Sequence, residues 1–250
     1  MAALSELIEY CNSRLDAGSF EDYCPNGLQV EVSLEVSRVV TGVTASLALI
    51  EAAAAAGAEL LLVHHGYFWK NEAPPLTGMK GRRIQALYRY GMSLAAYHLP
   101  LDAHAQIGNN ACLGELLGCS DARPIEGENG LLWGAEFPES LVIDTLLEKV
   151  QGFTDREPLL LPGGDHGVRR LAWCTGGAQG WVDKAADLGF DAYLTGEVSE
   201  ASFHIAAERN IHFIAAGHHA TERYGIQALG KELEDKFNVK HEFIDIPNPV

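Results

Sequence analysis

The sequence predicts an α/β protein built by doubling one strand-helix-strand unit. Three observations carry this. Short apolar runs alternate with Ala-rich helical stretches that stop at glycine. The segment from Arg38, RVVTGVTASLALIEAAAAAGAELLLVHHG, is echoed by one from Arg170, RLAWCTGGAQGWVDKAADLGFDAYLTGE. In both copies the second strand runs straight into polar residues, HHG in the first and TGE in the second.

Gly57 set against Gly189 fixes an offset of 132 residues, which also superposes Arg38 on Arg170, Ile50 on Val182, Glu51 on Asp183, Glu59 on Asp191 and Leu62 on Leu194 without a gap. Each copy reads as strand, small-residue turn, helix, Gly stop, strand, so its strands should lie parallel with the helix across one face. A further matched pair follows. Leu94 to Asp102, LAAYHLPLD, and Ile214 to Glu222, IAAGHHATE, are short strands ending in His-x-x-x-carboxylate, at an offset of 120.

The remaining elements fill in around the repeat. Leu4 to Leu15 has the period of an amphipathic helix, and Arg223 to Phe237 reads as another. Between the copies, LLWGAEF suggests a strand, and Ser140 is placed to cap a helix in PESLVIDTLLEKV. LLLPGGDHGVRRLAW reads as a hairpin turned at PGGDHG. The expected division is a lobe of residues 1–120 and a lobe of residues 121–250, with no long linker between them.

Composition excludes several classes of function. The 250 residues can bury a substantial core without staples. Lys plus Arg number 18 against 34 Asp plus Glu, a net charge of -16 that repels a phosphate backbone, and GMKGRR is too small a basic cluster to override it. No nucleic-acid partner is expected. The five cysteines have no C-x-x-C spacing, which argues against a disulfide framework or a thiolate zinc site and for a reducing compartment. No run reaches the ~18 apolar residues of a membrane span, and the N-terminus lacks the basic-then-apolar order of a signal peptide. A cytoplasmic protein with no membrane partner is expected.

Ligands of a parallel α/β sheet gather at the carboxyl ends of its strands. His64 and His65, His98 and Asp102, Glu197, and His218 with Glu222 all fall at such ends. If the two lobes face each other about a pseudo-two-fold, these residues line one cleft. Imidazole and carboxylate together suit zinc, manganese, iron, cobalt or nickel. Two adjacent histidines can serve two ions with a carboxylate bridging them, the equipment of two-metal hydrolysis, and His218 and Glu222, spaced i to i+4, can reach one centre.

Blander readings compete at each position. A lone HH at a strand end is more often structural than metal-binding, and His-x-x-x-Asp alone is weaker still. Their coincidence at equivalent ends of a repeat is what favours a site. His98 and His104 could brace a ligand without touching metal, His104 equally being a solvated loop histidine. His219 adjoins a ligand and could contact only substrate, and Glu197 aligns with His65 in the repeat but sits on a turn. His166, His204, His212 and His241 have no partner in the pattern and read as surface or core residues. TGGAQG at a strand-to-helix turn could cradle an anion, although glycine there more often just permits the turn.

HHGYFW, HLPLD and TGEVSEASFHIAAERNIHFIAAGHHATERYGIQAL, with PNGLQV near the start, resemble the dinuclear metal-centre proteins, also called Nif-three-like and widely labelled GTP cyclohydrolase 1 type 2. The resemblance runs from Gly27 to the last helix. It implies two similar three-layer α/β lobes with a metal cleft between them, and a ring-like homohexamer. The family's ligands fall on His64, His65, Asp102, His218 and Glu222, holding two divalent ions per chain. Longer relatives carry an inserted domain, for which the 49 residues from 121 to 169 are too few. Many relatives read V-x-x-x-x-D where this chain has VTGVTAS, so Thr44 or a neighbour stands where an acid is common.

The expected function is metal-dependent hydrolysis of a nucleotide-like or other polar small molecule. Glu222 and Asp102 would hold and bridge the ions, and a bridging water would attack. The alternative is a non-catalytic metal-binding or partner-binding ring. No pattern in the chain reads a guanine ring.

Overall fold

A computed structural model describes residues 1–250. The chain parts into two compact units, Met1–Leu101 with Gly225–Pro247, and Asp102–Tyr224 with Asn248–Val250. This differs from the split at residue 120 expected from the repeat, for two packing reasons. Helix Asn109–Leu116 buries Ala111 and Leu113 in the core of the second unit, and the C-terminal strand Lys240–Phe243 pairs with Arg38–Thr44 in the sheet of the first.

The first unit holds a five-stranded sheet in the order Lys240–Phe243, Arg38–Thr44, Leu60–His65, Ser93–Ala96, Gly27–Val30. All neighbours are parallel except the edge strand Gly27–Val30. Leu60 to Val63 are buried throughout, as the central strand of a sheet covered on both faces requires. Helices Leu47–Ala55 and Gly78–Tyr90 contribute Leu49, Ile50, Ala53, Ile84 and Leu87 to the core cluster that contains Val40, Leu61, Val63 and Leu94. Ser46 caps the first of these by accepting a hydrogen bond from Leu49 N at 3.2 Å, and Gly57, at φ +77°, ends the turn after it. Helix Leu4–Arg14 meets the end of strand Ser93–Ala96 through the Tyr97 hydroxyl, which donates to Asn12 Oδ1 at 2.8 Å. Its Arg14 pairs with Glu232 of helix Arg223–Phe237 at 2.9 Å.

The second unit holds a six-stranded sheet in the order Arg123–Pro124, Trp133–Leu141, Val168–Trp173, Ala192–Thr195, His212–Ala215, Leu159–Leu161. The last three strands of the repeat are its parallel centre. Helices Asn109–Leu116 and Ile143–Thr154 cover one face with Leu113, Leu146 and Val150 against Leu171, Trp173 and Leu194. Helices Val182–Asp187 and Glu200–Arg209 cover the other with Val182, Ala185 and Ala206 against Ala172, Tyr193 and Phe213. This is a three-layer α/β arrangement. No helix of the chain is long and apolar enough to cross a membrane.

The doubling is visible in the strand ladders. Val39 pairs with Leu60 in the first sheet and Leu171 with Ala192 in the second, the same register under the 132-residue shift. The third strands differ by one. Leu60 faces Ser93 and Ala192 faces His212, an offset of 119, whereas the His-x-x-x-carboxylate motifs align at 120. The second copy therefore spends one more residue between strand and histidine, at Gly217, whose φ of +98° suits glycine.

Two local expectations are corrected. Ser140 does not cap a helix: strand Trp133–Leu141 runs on through it, held by the pairing of Leu141 with Val168, and the helix begins at Ile143 after Val142. Nor does PGGDHG turn a hairpin. Leu159–Leu161 pairs with His212–Ala215, while Val168–Trp173 lies between Trp133–Leu141 and Ala192–Thr195, with two strands separating it from Leu159–Leu161. The loop between them packs Gly163 against the Ile211 backbone, too close for a Cβ, and stacks His166 on His212 at 4.3 Å between ring centres.

Candidate functional site

In the first unit the HH strand ends beside the turn that follows strand Ser93–Ala96. His64 Nδ1 lies 2.8 Å from the Tyr97 carbonyl, and His65 Nδ1 lies 3.3 Å from Thr44 Oγ1. Adjacent strand residues point to opposite faces, yet the two rings have centres only 4.6 Å apart, because the strand finishes there. Gly66 then lets the chain bend past Ala96 and Gln29, where a Cβ would collide. Gln29 braces the bend: its Oε1 accepts from Tyr67 N at 2.7 Å and its Nε2 donates to Pro25 O at 2.9 Å. Phe68 follows at φ +65°, an uncommon conformation for a bulky residue.

His98 joins this pair, its ring centre 5.2 Å from His64 and 5.6 Å from His65. One nitrogen from each of the three lies within 4.8 Å of the others, a group that could hold a metal ion. Asp22 fixes His98. Its Oδ1 accepts from His98 Nδ1 at 2.7 Å and from Tyr23 N at 2.6 Å, and its Oδ2 accepts from Asn26 Nδ2 at 2.8 Å and Leu99 N at 3.0 Å. Burial alone would raise this carboxyl, but the hydrogen bond and charge of His98, with Asn26 and Tyr23 N, outweigh it and hold Asp22 at about 2. Asn26 Oδ1 also accepts from His98 N at 2.7 Å. The nearby Cys24 thiol is pushed up to about 12 by burial and the Asp22 charge, so it is protonated at neutral pH.

In the second unit Asp102, on helix Leu99–Ala103, is buried. Its Oδ1 accepts from Asn109 Nδ2 at 2.8 Å and Thr175 Oγ1 at 3.3 Å. Asn110 ties the same turn together, donating to Asp102 O at 3.2 Å and accepting from Thr175 N at 3.0 Å. His218 opens helix His218–Thr221 and Glu222 closes it. His218 Nδ1 is 2.6 Å from Glu197 Oε1, and its Nε2 is 3.1 Å from Glu222 Oε2. Burial would lower the imidazole, but hydrogen bonds and charge from Glu222 and then Glu197 overcome it and raise His218 to about 9. Buried carboxylate with imidazole is a donor set that a divalent cation fits.

TGGAQG finds its role here. Gly176, at φ +69°, leaves room for the Glu222 carboxylate, and a Cβ would stand 3.1 Å from His218 Nε2. Gly177 likewise passes the Glu197 carboxylate, where a Cβ would come within 3.4 Å. Loop glycines lined by two carboxylates make a poor anion cradle.

Other candidates serve locally. His104 Nδ1 accepts from the Gln106 and Ile107 amides at 3.1 and 3.2 Å, and the buried His219 donates its backbone N–H to Val250 O at 3.1 Å. A cavity of about 480 Å³ lined by Arg123, Ile125, Glu136, Arg170 and Phe190 shares no residue with the donors. Sequence reasoning assigned no role to the residues that orient the donors: Asp22, Asn26, Gln29, Asn109, Asn110 and Thr175. PNGLQV contains Asn26 and Gln29, and TGGAQG begins at Thr175.

A protein-family model described as Duf34/NIF3 (NGG1p interacting factor 3) matches residues 2–249. The chain is 52% identical over 250 residues to a protein of Allochromatium vinosum called GTP cyclohydrolase 1 type 2 homolog, covering 100% of this chain and 98% of that one. A protein of the same name from Pseudomonas aeruginosa is 52% identical over 249 residues, covering 99% and 98%. Among solved structures, protein ybgI, described as of unknown function, superposes with a TM-score of 0.95 at 45% identity, and TTHA1606 from Thermus thermophilus with 0.92 at 33%, each match covering 100% of both chains. The chain belongs to the Duf34/NIF3 family.

Proposed function

We propose that this chain is a metal-dependent hydrolase of the GTP cyclohydrolase 1 type 2-like kind, with His64, His65, Asp102, His218 and Glu222 holding two divalent ions. One observation carries the reading: the imidazole and carboxylate donors are already oriented by other oxygens and amides. Tyr97 O and Thr44 Oγ1 stand against the Nδ1 atoms of His64 and His65, Glu197 against that of His218, and Asn109 and Thr175 against Asp102. Such bracing is typical of metal ligands, whose tautomer and direction it fixes. The names of the relatives support the hydrolytic class.

Bound divalent ions would supply Lewis acidity, bringing the pKa of water toward about 7. The protein's own part is to orient the donors and to exclude bulk water through the burial of Asp102 and Glu222. Their two negative charges would offset about half of the charge of two divalent cations. The substrate is a nucleotide-like or other polar small molecule, and the working assembly is a homo-oligomer, a hexamer by family resemblance. Five free cysteines support a reducing compartment such as the cytoplasm.

The test is turnover of a panel of nucleotides and polar esters by protein reloaded with single metals. Consumption that stops on chelation, returns with one metal and falls by ~10²-fold or more in Glu222→Gln supports hydrolysis. Protein confirmed to carry two ions that consumes nothing, while chelation lowers its Tm, makes it the non-catalytic ring instead.

A further inference from the structure

The cavity of about 480 Å³ in the second unit shares no residue with the proposed metal donors, and its size falls within the roughly 300–1,000 Å³ of small-molecule pockets. Strand pairing builds its floor. Gly134 lies opposite Arg123 on the outer strand and Ala172 on the inner one, and Glu136 lies opposite Arg170, so Arg123, Gly134, Glu136 and Arg170 share one face of the sheet. Helices Val182–Asp187 and Glu200–Arg209 cover that face over Ala172, Tyr193 and Phe213. Beyond them the Phe190 ring rests on Gly134, where a Cβ would stand 2.6 Å from Phe190 Cζ and 3.5 Å from Ile125 Cδ1. Glycine at this position keeps the apolar wall of Phe190 and Ile125 down against the strand.

Charge sets what the cavity accepts. The Arg170 guanidinium is fixed over the Phe190 ring at 4.7 Å and donates from Nη1 to Leu188 O at 3.1 Å and Gly189 O at 2.8 Å. Neither Arg170 nor Arg123 is paired with a carboxylate, although the chain carries 34 acids to 18 bases and neighbouring Arg169 pairs with Glu136 at 2.8 Å. Two acids face them across the cavity lining, Glu126 and Asp121. A phosphate dianion would meet both acids, and a dication both guanidinium groups. An uncharged apolar ligand would strip water from all four groups without replacing its hydrogen bonds. A molecule with one charge of each sign and an apolar body meets every part of the lining.

We infer that this cavity binds a free α-amino acid with an apolar or aromatic side chain. Its carboxylate belongs on Arg123 and Arg170, its ammonium on Glu126 and Asp121, and its side chain against Ile125 and Phe190. Guanidinium suits the carboxylate because its planar fork donates two parallel hydrogen bonds. The inference stands apart from the proposed function, since it needs neither a bound metal nor a hydrolytic reaction.

Isothermal calorimetry of the full-length chain with leucine, isoleucine, methionine, phenylalanine and tryptophan tests this, run after chelation so that no bound ion captures the amino acid. At least one is expected to bind at millimolar concentration or below. Its N-acetyl derivative, its amide and glycine should bind ~10-fold or more weakly, since each lacks one of the three features. The N-acetyl form mimics a peptide C-terminus and the amide an N-terminus, so the same pair separates a free amino acid from a peptide end. Arg123→Ala and Glu126→Gln, both at exposed positions, should each weaken the amino acid by ~5-fold or more, with melting curves to confirm that the variants fold. The inference is overturned if none of the five binds folded wild type at millimolar concentration, if the N-acetyl form or the amide binds as well as the free amino acid, or if binding ignores both substitutions. Failure of the metal reading would leave all of these outcomes unchanged.

Discussion

Gly176 carries the sharpest residue-scale consequence. At φ +69° any L side chain there is strained, a destabilisation of about 1 kcal/mol or more, and a Cβ would also drive into the Glu222 carboxylate. Gly176→Ala is therefore expected to lose divalent-metal binding out of proportion to its loss of stability, because the displaced group is a proposed donor. Calorimetric titration with zinc alongside a melting curve measures both. A variant that melts lower by only a few degrees yet binds metal like wild type would show that Glu222 is not held by this contact. The same residue-scale logic explains why polar loop positions matter more than they advertise. Asp22, Asn26 and Thr175 sit in irregular stretches with no period to expose them, and their worth lies in which atom they face.

At the scale of elements, helix Arg223–Phe237 and strand Lys240–Phe243 join the C-terminal segment to the first sheet. Gly230 sits in that helix where a Cβ would come within 2.6 Å of two ring carbons of His241, whose Nε2 is bonded to Thr41 Oγ1 at 2.8 Å. Replacing a helical glycine by alanine ordinarily gains about 1 kcal/mol. Here the gain competes with overpacking of ~1–3 kcal/mol and the loss of a hydrogen bond worth about 1 kcal/mol. The clash should win. Gly230→Ala is expected to lower Tm by several degrees, and Gly230→Ala in a His241→Ala background to lower it far less. Equal losses in both backgrounds would remove His241 from the explanation.

The elements also show what a sequence can and cannot carry. The strand-helix-strand repeat and the helix Arg223–Phe237 were legible because they are local: an apolar period, a glycine stop and a gapless offset define them. The partners of edge strands were not. Leu159–Leu161 and Val168–Trp173 are adjacent in sequence but separated by two strands, and nothing in PGGDHG distinguishes a hairpin from a crossing. Ser140 failed as a cap for a related reason, since pairing of Leu141 with Val168 extends the strand past the point where local preference would start the helix. At the site, the histidines and carboxylates were legible as strand-end residues, His64, His65 and His98 among them, and the Asp22 carboxylate that holds the His98 ring was not.

For the whole molecule, the balance of charge and donors decides the account. A net charge of -16 with carboxylates buried at strand ends is a molecule that gains from bound cations. Five cysteines stay outside the proposed ligand set, and burial raises the thiols of Cys11, Cys24, Cys112, Cys119 and Cys174, with Asp102 and Glu222 adding to the effect at Cys174. Imidazole and carboxylate make up the proposed donor set. Elemental analysis of the full chain, purified without added metal and again after reloading with zinc, manganese, iron, cobalt or nickel, measures the central claim directly. The account predicts close to two divalent ions per chain, falling in variants of His64, His65, Asp102, His218 or Glu222; a chain that stays folded and holds no more than trace metal under every loading condition contradicts it.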